Sequence, residues 1–381
     1  MRLLFLSALA LALPAIADEP RARDLGIPFD GRPGNFNAIT DVPGVTVGQV
    51  TLNEDLPNGA AVRTGVTAIL PRGTDSITTG SFAGWFSLNG NGEMTGTAYI
   101  DNSGFLEGPV MITGTHSVGA VHEGVIRWRS AKGDEYHAGG WWSLPVVAET
   151  WDGLSDVNGF HVRPEHAMEA LDRAVSGPVA EGSVGGGTGM RCHGFKCGTG
   201  TASRIVRVAG EEFVVGVLVQ ANYGVKRLLR IAGVPVGEYL EAEAAERRDD
   251  DVIPELSSII IVIATDAPLL PVQLKRLAKR ASLGLARNGS IASDSSGDIF
   301  IAFSTANADA ARGSPRAELS MLANPRLNPL FESVVNATEE SIINSLVAGR
   351  TMVGHNGVTM PGIDVERVQE ILRRHGRLAD D

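Results

Sequence analysis

The sequence predicts an α/β fold, in which short apolar runs that read as buried strands alternate with amphipathic helices. Three observations carry this. Residues 259–264 are an unbroken, mostly β-branched apolar run, the pattern of a strand buried on both faces. Just after it, Leu274, Leu277, Ala278 and Ala281 fall on one helical face and Lys275, Arg276, Lys279 and Arg280 on the other. Glycine is abundant, 46 of 381 residues, and falls on tight turns between strand-like runs rather than in a low-complexity block.

Residues 1–17, MRLLFLSALALALPAIA, place Arg2 before an apolar core and end in a small-x-small site, the pattern of a secretory signal. Cleavage there leaves about 364 residues beginning near Asp18, a length that suits two domains or one large one. Two β-rich runs follow, at 44–52 and 61–70, separated by the turn-forming Pro57-Asn58-Gly59. Residues 80–119 are dense in Gly, Asn, Ser and Thr around an apolar run at 110–112, and suit loops that approach a ligand closely.

Residues 144–147 read as a short buried strand ending in Glu149-Thr150-Trp151-Asp152-Gly153. A helix is expected over 166–175, a flexible turn over 182–189, and a buried strand over 213–220 that ends at Ala221-Asn222-Tyr223-Gly224. The glycines of 182–189 lack the spacing of a dinucleotide fingerprint. Residues 238–256 are heavily charged, with Asp249-Asp250-Asp251 and Pro254, and read as an exposed linker. The helix after the 259–264 strand is expected to stop at Gly284. A strand at 299–304, introduced by Ser293-Asp294-Ser295-Ser296-Gly297-Asp298, an amphipathic helix over 330–347 and a last helix over 365–374 complete the pattern.

Composition excludes several functions. The formal net charge is −11, and no Lys/Arg cluster interleaves with aromatics, so nucleic acid is not an expected partner. After residue 17 no apolar run approaches the ~20 residues of a membrane span, so no membrane role is expected. Cys192 and Cys197, in Arg-Cys-His-Gly-Phe-Lys-Cys, suit a small-loop disulfide or free thiols. With His193 alone beside them they are a ligand short of a metal site, and HExxH is absent, so no metal or other cofactor is expected. His161 and His166 read as surface or capping residues, and Gly289-Ser290 as a turn.

The candidate chemistry lies at Ser257-Ser258, where two hydroxyls stand at the mouth of the 259–264 strand and directly after the acidic segment. No G-x-S-x-G elbow exists, and no histidine has a context that suggests a triad. An arrangement without histidine remains. If the chain were cut before Ser258, that serine would own an α-amine whose ordinary pKa is about 7.7–8.0, so a useful fraction is neutral and can take the hydroxyl proton. The acidic segment can swing away after scission while the buried strand holds the new terminus.

Five stretches make the sequence recognisable: LPVVAETWDG (144–153), GGGTGMRCHGFKCGTGTASR (185–204), VGVLVQANYG (215–224), SIIIVIATDAPLLPVQLKRLA (258–278) and SSGDIFIAFST (295–305). Together they resemble the self-processing serine aminopeptidases of peptidase family S58, the group of the L-aminopeptidase D-esterase/amidases and β-peptidyl aminopeptidases. The resemblance implies an αββα four-layer sandwich like that of the N-terminal nucleophile hydrolases, with the topology shared by ornithine acetyltransferases. It implies self-cleavage into an α chain, 18–257, and a β chain, 258–381, of one catalytic domain, with Ser258 as nucleophile. The family's residue before the cut is usually Gly or Asn, and here it is Ser257; cleavage before Ser257 is the minor alternative.

By the same resemblance Asn222 stabilises the oxyanion, Ser296 relays or orients protons around the α-amine, and Asp298 holds that amine. Glu149 and Trp151 match the positions that receive the substrate's amino group, where a carboxylate suits an ammonium and an indole adds cation–π attraction. The expected substrate is a small peptide or an aminoacyl amide or ester. The expected place is the periplasm or the outside of the cell, and the expected assembly a homo-oligomer, usually a tetramer, of αβ units. Two other readings stand beside this one. Acyl transfer like that of ornithine acetyltransferases is opposed by Ser258 and the signal sequence, and a non-catalytic relative is opposed by the intact set Ser258, Asn222, Ser296 and Asp298.

Overall fold

The computed structural model describes residues 20–132, 142–244, 257–311 and 315–378. Residues 1–17, the expected signal sequence, lie outside them. Strands β1 (Thr46–Asp55) and β2 (Ala61–Thr74) form a hairpin whose turn carries Gly59 at φ +85°, with the Asn58 side chain accepting from the Ala60 N–H at 3.1 Å. After them come β3 (Ser81–Gly90), α1 (Thr97–Ser103), β4 (Phe105–Leu106), β5 (Val110–Gly114), α2 (Val118–Lys132) and β6 (Val146–Thr150). Next are α3 (Pro164–Asp172), the hairpin β7 (Arg191–Cys192) and β8 (Phe195–Lys196), β9 (Thr199–Val208), β10 (Glu211–Asn222) and α4 (Val236–Ala244). The chain ends with β11 (Ser258–Thr265), α5 (Pro271–Arg287), β12 (Gly297–Ser304), α6 (Asn328–Val347), the short pair β13 (Met352–Val353) and β14 (Thr359–Met360), and α7 (Val365–Arg374).

These elements make the expected αββα sandwich. One sheet has the order β1-β2-β5-β6 and the other β4-β3-β12-β11-β10-β9. Three apolar clusters fill the spaces between four layers. The first packs α2 and α3, through Val121, Trp128 and Leu171, on the outer face of the four-stranded sheet. The second lies between the sheets, and the third joins the six-stranded sheet to α5 and α6. Strand β11 shows how one run serves two layers. Ile260, Val262 and Ala264 face the other sheet, while Ile259, Ile261 and Ile263 face the helices, as the two-residue period of a strand requires. Ser258 shares the parity of Ile260 and so stands on the inter-sheet side.

Several expectations are corrected by packing. Residues 80–119 are not mainly loop: β3 is an inner strand, its Phe82 and Ala83 buried against the two cores. The charged segment 238–256 begins as helix α4, which buries Val236 and Leu240; residues 245–256 lie outside the described ones. Helix α5 runs through Gly284 to Arg287, because that glycine admits α6: a Cβ there would meet the Val335 carbonyl at 2.6 Å. Its basic face also packs, since Lys275 and Lys279 lie over Trp85 and Phe86, and Arg276 and Arg280 over Phe331. Helix α6 is buried nearly all round rather than amphipathic. Its Glu340 is fully buried and paired with Arg23 and Arg204, the guanidinium neighbours holding its carboxyl below the ordinary range against the cost of burial. The 182–189 turn is also buried; a Cβ on Gly186 would lie 2.2 Å from Gln220 Oε1.

Candidate active site

Ser258 is the first residue of β11, and its two neighbouring strands fix it. On one side it is the antiparallel partner of Asn222, the last residue of β10. On the other it is the parallel partner of Gly297, the first residue of β12. All three are ends of buried strands, so the site inherits the rigidity of the sheet. Ser258 and Asn222 are 3% and 1% exposed. Residues directly opposite in a sheet project to the same face, so the Asn222 carboxamide and the Ser258 hydroxyl share the inter-sheet side. There the Trp151 N–H, just past the end of β6, points at Ser258 Oγ from 3.4 Å.

The Asn222 carboxamide has a defined orientation. The Arg191 N–H donates to Asn222 Oδ1 at 3.1 Å, and since an N–H can only donate, it selects the oxygen end and turns the nitrogen end away. A carboxamide nitrogen so placed is a donor for negative charge that develops on an attacked carbonyl.

Ser296 and Asp298 lie on the other side of the strand. Asp298 is the register partner of Ile259 and shares the parity of Phe300, which faces the helices. Ser296 Oγ donates to Asp298 Oδ1 at 2.7 Å, and both residues are buried. Ser257 and Ser296 line one small cleft with Tyr223 and Gly289. The Ser257 carbonyl accepts the Gly297 N–H at 3.1 Å. The pair Ser296–Asp298 therefore flanks the Ser257–Ser258 main chain from the helix side, while Asn222 and the Trp151 N–H flank the hydroxyl from the sheet side.

Glu149 sits two residues before Trp151, inside β6 rather than beyond its end. It is 4% exposed. Its Oε1 accepts the Glu93 N–H at 2.9 Å, and its Oε2 accepts the Thr115 hydroxyl. Burial pushes its pKa up, partly offset by those two donors, and the Asp152 and Glu93 charges push it up further. Asp152 is raised as well, again chiefly by burial. Two carboxyls raised by burial, three residues apart in sequence, are the kind of perturbed pair that gathers at functional sites. Gly92 packs between Glu149 and Gly297, the register partner of Ser258, for a Cβ there would lie 3.1 Å from both Glu149 Oε1 and the Cα of Gly297. The Trp151 ring meets His116 edge-on at 5.8 Å, and His116 stacks on the exposed Phe160 at 6.2 Å.

The structure thus gathers all six expected residues around one strand end, on two faces. It adds groups that residue-type reasoning passed over, namely the Trp151 and Gly297 N–H groups, Thr115 and the Glu93 N–H. Main-chain donors leave no mark in a sequence, and Thr115 is one hydroxyl among many. Cys192 and Cys197 form a disulfide with Cα atoms 5.7 Å apart, and no group of three metal-ligating side chains occurs among the described residues. His166 Nδ1 accepts the Arg163 N–H at the start of α3, the expected capping role.

Residues 37–360 match the model of Peptidase family S58. This chain belongs to that family. It is 51% identical to β-peptidyl aminopeptidase BapA of Sphingosinicella microcystinivorans, over 98% of this chain and 97% of the relative. Among solved structures, the L-aminopeptidase D-Ala-esterase/amidase of Ochrobactrum anthropi, a prototype of the serine aminopeptidases and a variant of the Ntn hydrolase fold, is 46% identical. It superposes with a TM-score of 0.87, over 94% of this chain and 100% of that one. A β-aminopeptidase of a Burkholderia species is 48% identical, with a TM-score of 0.84 over 94% and 99% of the two chains. The protein is a hydrolase of the aminopeptidase type with the Ntn hydrolase fold.

Proposed function

We propose that the S58 peptidase described above cuts itself between Ser257 and Ser258 and then works as an N-terminal serine aminopeptidase. The observation that carries this is the placement of the Ser257–Ser258 link. It sits at the very start of a buried strand, with the hydroxyl between Asn222 and the Trp151 N–H and the Ser257 carbonyl hydrogen-bonded by Gly297. In self-cleavage Ser258 Oγ attacks the Ser257 carbonyl carbon, the chain shifts from nitrogen to oxygen, and water hydrolyses the resulting ester. The products are the α chain, 18–257, and the β chain, 258–381.

The freed α-amine of Ser258 is then the base. It takes the Oγ proton as Oγ attacks the first amide of the substrate, Asn222 donates to the tetrahedral oxyanion, and the amine passes the proton to the leaving nitrogen as the C–N bond breaks. Water releases the acyl group by the same steps in reverse. Ser296 and Asp298, on the helix side of the main chain, orient the amine. Glu149 receives the substrate's ammonium, and Trp151 adds the face of its ring.

The relatives named for β-peptides favour substrates that begin with a β-amino acid. The signal-like residues 1–17 favour a periplasmic or secreted enzyme, and the family resemblance a homotetramer of αβ units. Intact mass and N-terminal sequencing of the purified protein, followed by a panel of L-α-, D-α- and β-aminoacyl p-nitroanilides, test the proposal. An unprocessed chain that hydrolyses these substrates would overturn it.

A further inference from the structure

We infer that the disulfide-closed hairpin at residues 191–197 is a positioning element for catalysis, one that holds the Asn222 carboxamide in its productive orientation. The inference rests on the reading of Asn222 as oxyanion donor given above.

The hairpin is too small to hold itself. It has two residues in each strand, with Cys192 paired to Phe195 and Arg191 to Lys196, and an isolated two-stranded hairpin is marginal at best. Its loop is His193-Gly194, both with positive φ, +50° and +73°, as a two-residue turn matched to strand twist requires. Glycine meets that at no cost, whereas histidine stores strain, and such strain gathers at functional sites. The Cys192–Cys197 bond closes the unit from behind, and Lys196 Nζ donates to the Cys197 carbonyl inside it.

What the closed unit touches is the end of β10, nearly residue by residue. Gly198 O accepts the Ala221 N–H at 3.0 Å. The Arg191 N–H fixes Asn222 Oδ1 at 3.1 Å. The His193 N–H donates to the Tyr223 carbonyl at 2.8 Å. His193 Nδ1 lies 3.1 Å from the Val225 carbonyl and must carry its proton there, since a carbonyl only accepts. Gly224 is forced by the same contact, for a Cβ on it would lie 2.4 Å from the imidazole. Burial keeps that imidazole neutral, with a pKa down to about 4, so the Nδ1 proton is retained through neutral pH.

One of these bonds decides chemistry rather than shape. The Arg191 N–H at Oδ1 selects the oxygen end of the carboxamide and so fixes which end faces the site. A rotated amide would offer its oxygen lone pairs to the oxyanion instead of its N–H groups.

The test is a mutant cycle on the processed enzyme, with kcat and KM measured on an aminoacyl p-nitroanilide. Replacing both cysteines, Cys192→Ala with Cys197→Ala, is expected to lower kcat about tenfold and leave KM within about twofold, since a misplaced donor is missed only in the transition state. In an Asn222→Ala background the same pair should cost nothing further. An equal loss in both backgrounds, or no loss in either, overturns the inference. If Asn222→Ala alone keeps full kcat, the functional reading of Asn222 fails, a result distinct from failure of the hairpin. Should the cysteine variant fail to fold or process, His193→Asn goes through the same cycle. Asparagine tolerates the left-handed backbone but lacks the ring that reaches Val225.

Discussion

The two faces of the six-stranded sheet differ sharply at the Ser258 end. On the inter-sheet face stand the Ser258 hydroxyl, the Asn222 carboxamide and the Trp151 N–H. On the helix face stand Ser296, Asp298 and Tyr223, around the peptide link that joins Ser258 to Ser257. The proposed N-terminal nucleophile, which would supply its own base, needs this split. Its side chain must meet the substrate on one side, while its main-chain nitrogen is handled from the other. A strand end is the one place in a sheet where both can be reached, because the ladder stops there.

The largest effect should come from the residue common to both faces. Ser258→Ala removes the hydroxyl for self-cleavage and for hydrolysis alike, so a single unprocessed chain with no aminopeptidase activity above background is expected on a denaturing gel and in the p-nitroanilide assay. Next comes Asn222→Ala, which separates the faces. Loss of one oxyanion donor costs about 2.7–4 kcal/mol, or 10²–10³ in kcat, elsewhere, and that drop is expected here. Self-cleavage should be less impaired, because the Gly297 N–H already donates to the Ser257 carbonyl. An Asn222→Ala protein that hydrolyses poorly and also stays wholly uncut would break the two-face distinction.

How far the sequence reveals this follows from what each residue depends on. The strand 259–264 is legible because β-branched residues in an unbroken run have few other fates, and α7 appears over residues 365–374 as expected. The contents of residues 80–119 are not legible. Their glycines read as loop, yet Gly84 lies in β3 because a Cβ there would meet the Lys275 N of α5 at 2.4 Å. That reason belongs to the partner helix and not to the segment. The six candidate residues are found through five long stretches that resemble a family; the division of Ser258 and Asn222 from Asp298 between two faces is set by register and parity, which need the sheet. Glu149 shows the same limit. Its type suggests an ammonium partner, but its burial and its Thr115 and Glu93 donors come from chain distant in sequence.

A smaller effect is expected at that carboxylate. Glu149→Gln keeps the shape and removes the charge, and a hydrogen bond to a charged group contributes about 1.5–3 kcal/mol. A rise of about 10- to 100-fold in KM is therefore expected, with kcat less affected. The pH dependence follows from the upward shift. In the free enzyme Glu149 takes up its proton at a higher pH than an ordinary carboxyl, so wild-type KM should climb as pH falls through that raised value. The Gln variant should lose this limb. A wild-type KM flat across the acid range would place the ammonium elsewhere.

The smallest effect on turnover is expected at Lys196, where the hairpin and the fold meet. Its ammonium is completely buried, with the Cys197 carbonyl accepting from it, and burial drives its pKa down from 10.5 to about 7. Between those values the unfolded chain holds a proton that the folded protein has lost. Stability attributable to this group must then rise with pH across that window, by at most about 1.4 kcal/mol per unit, and fall away as pH drops toward 7. Lys196→Met fills similar space without a titrating group, but it leaves the Cys197 carbonyl without this donor, which costs about 1–3 kcal/mol. Relative to wild type, the variant's stability should therefore be greatest near pH 7 and decline steadily toward pH 10 in urea melts. A difference between variant and wild type that does not vary with pH would mean that Lys196 keeps its proton, and that the hairpin encloses a stable charge behind Asn222.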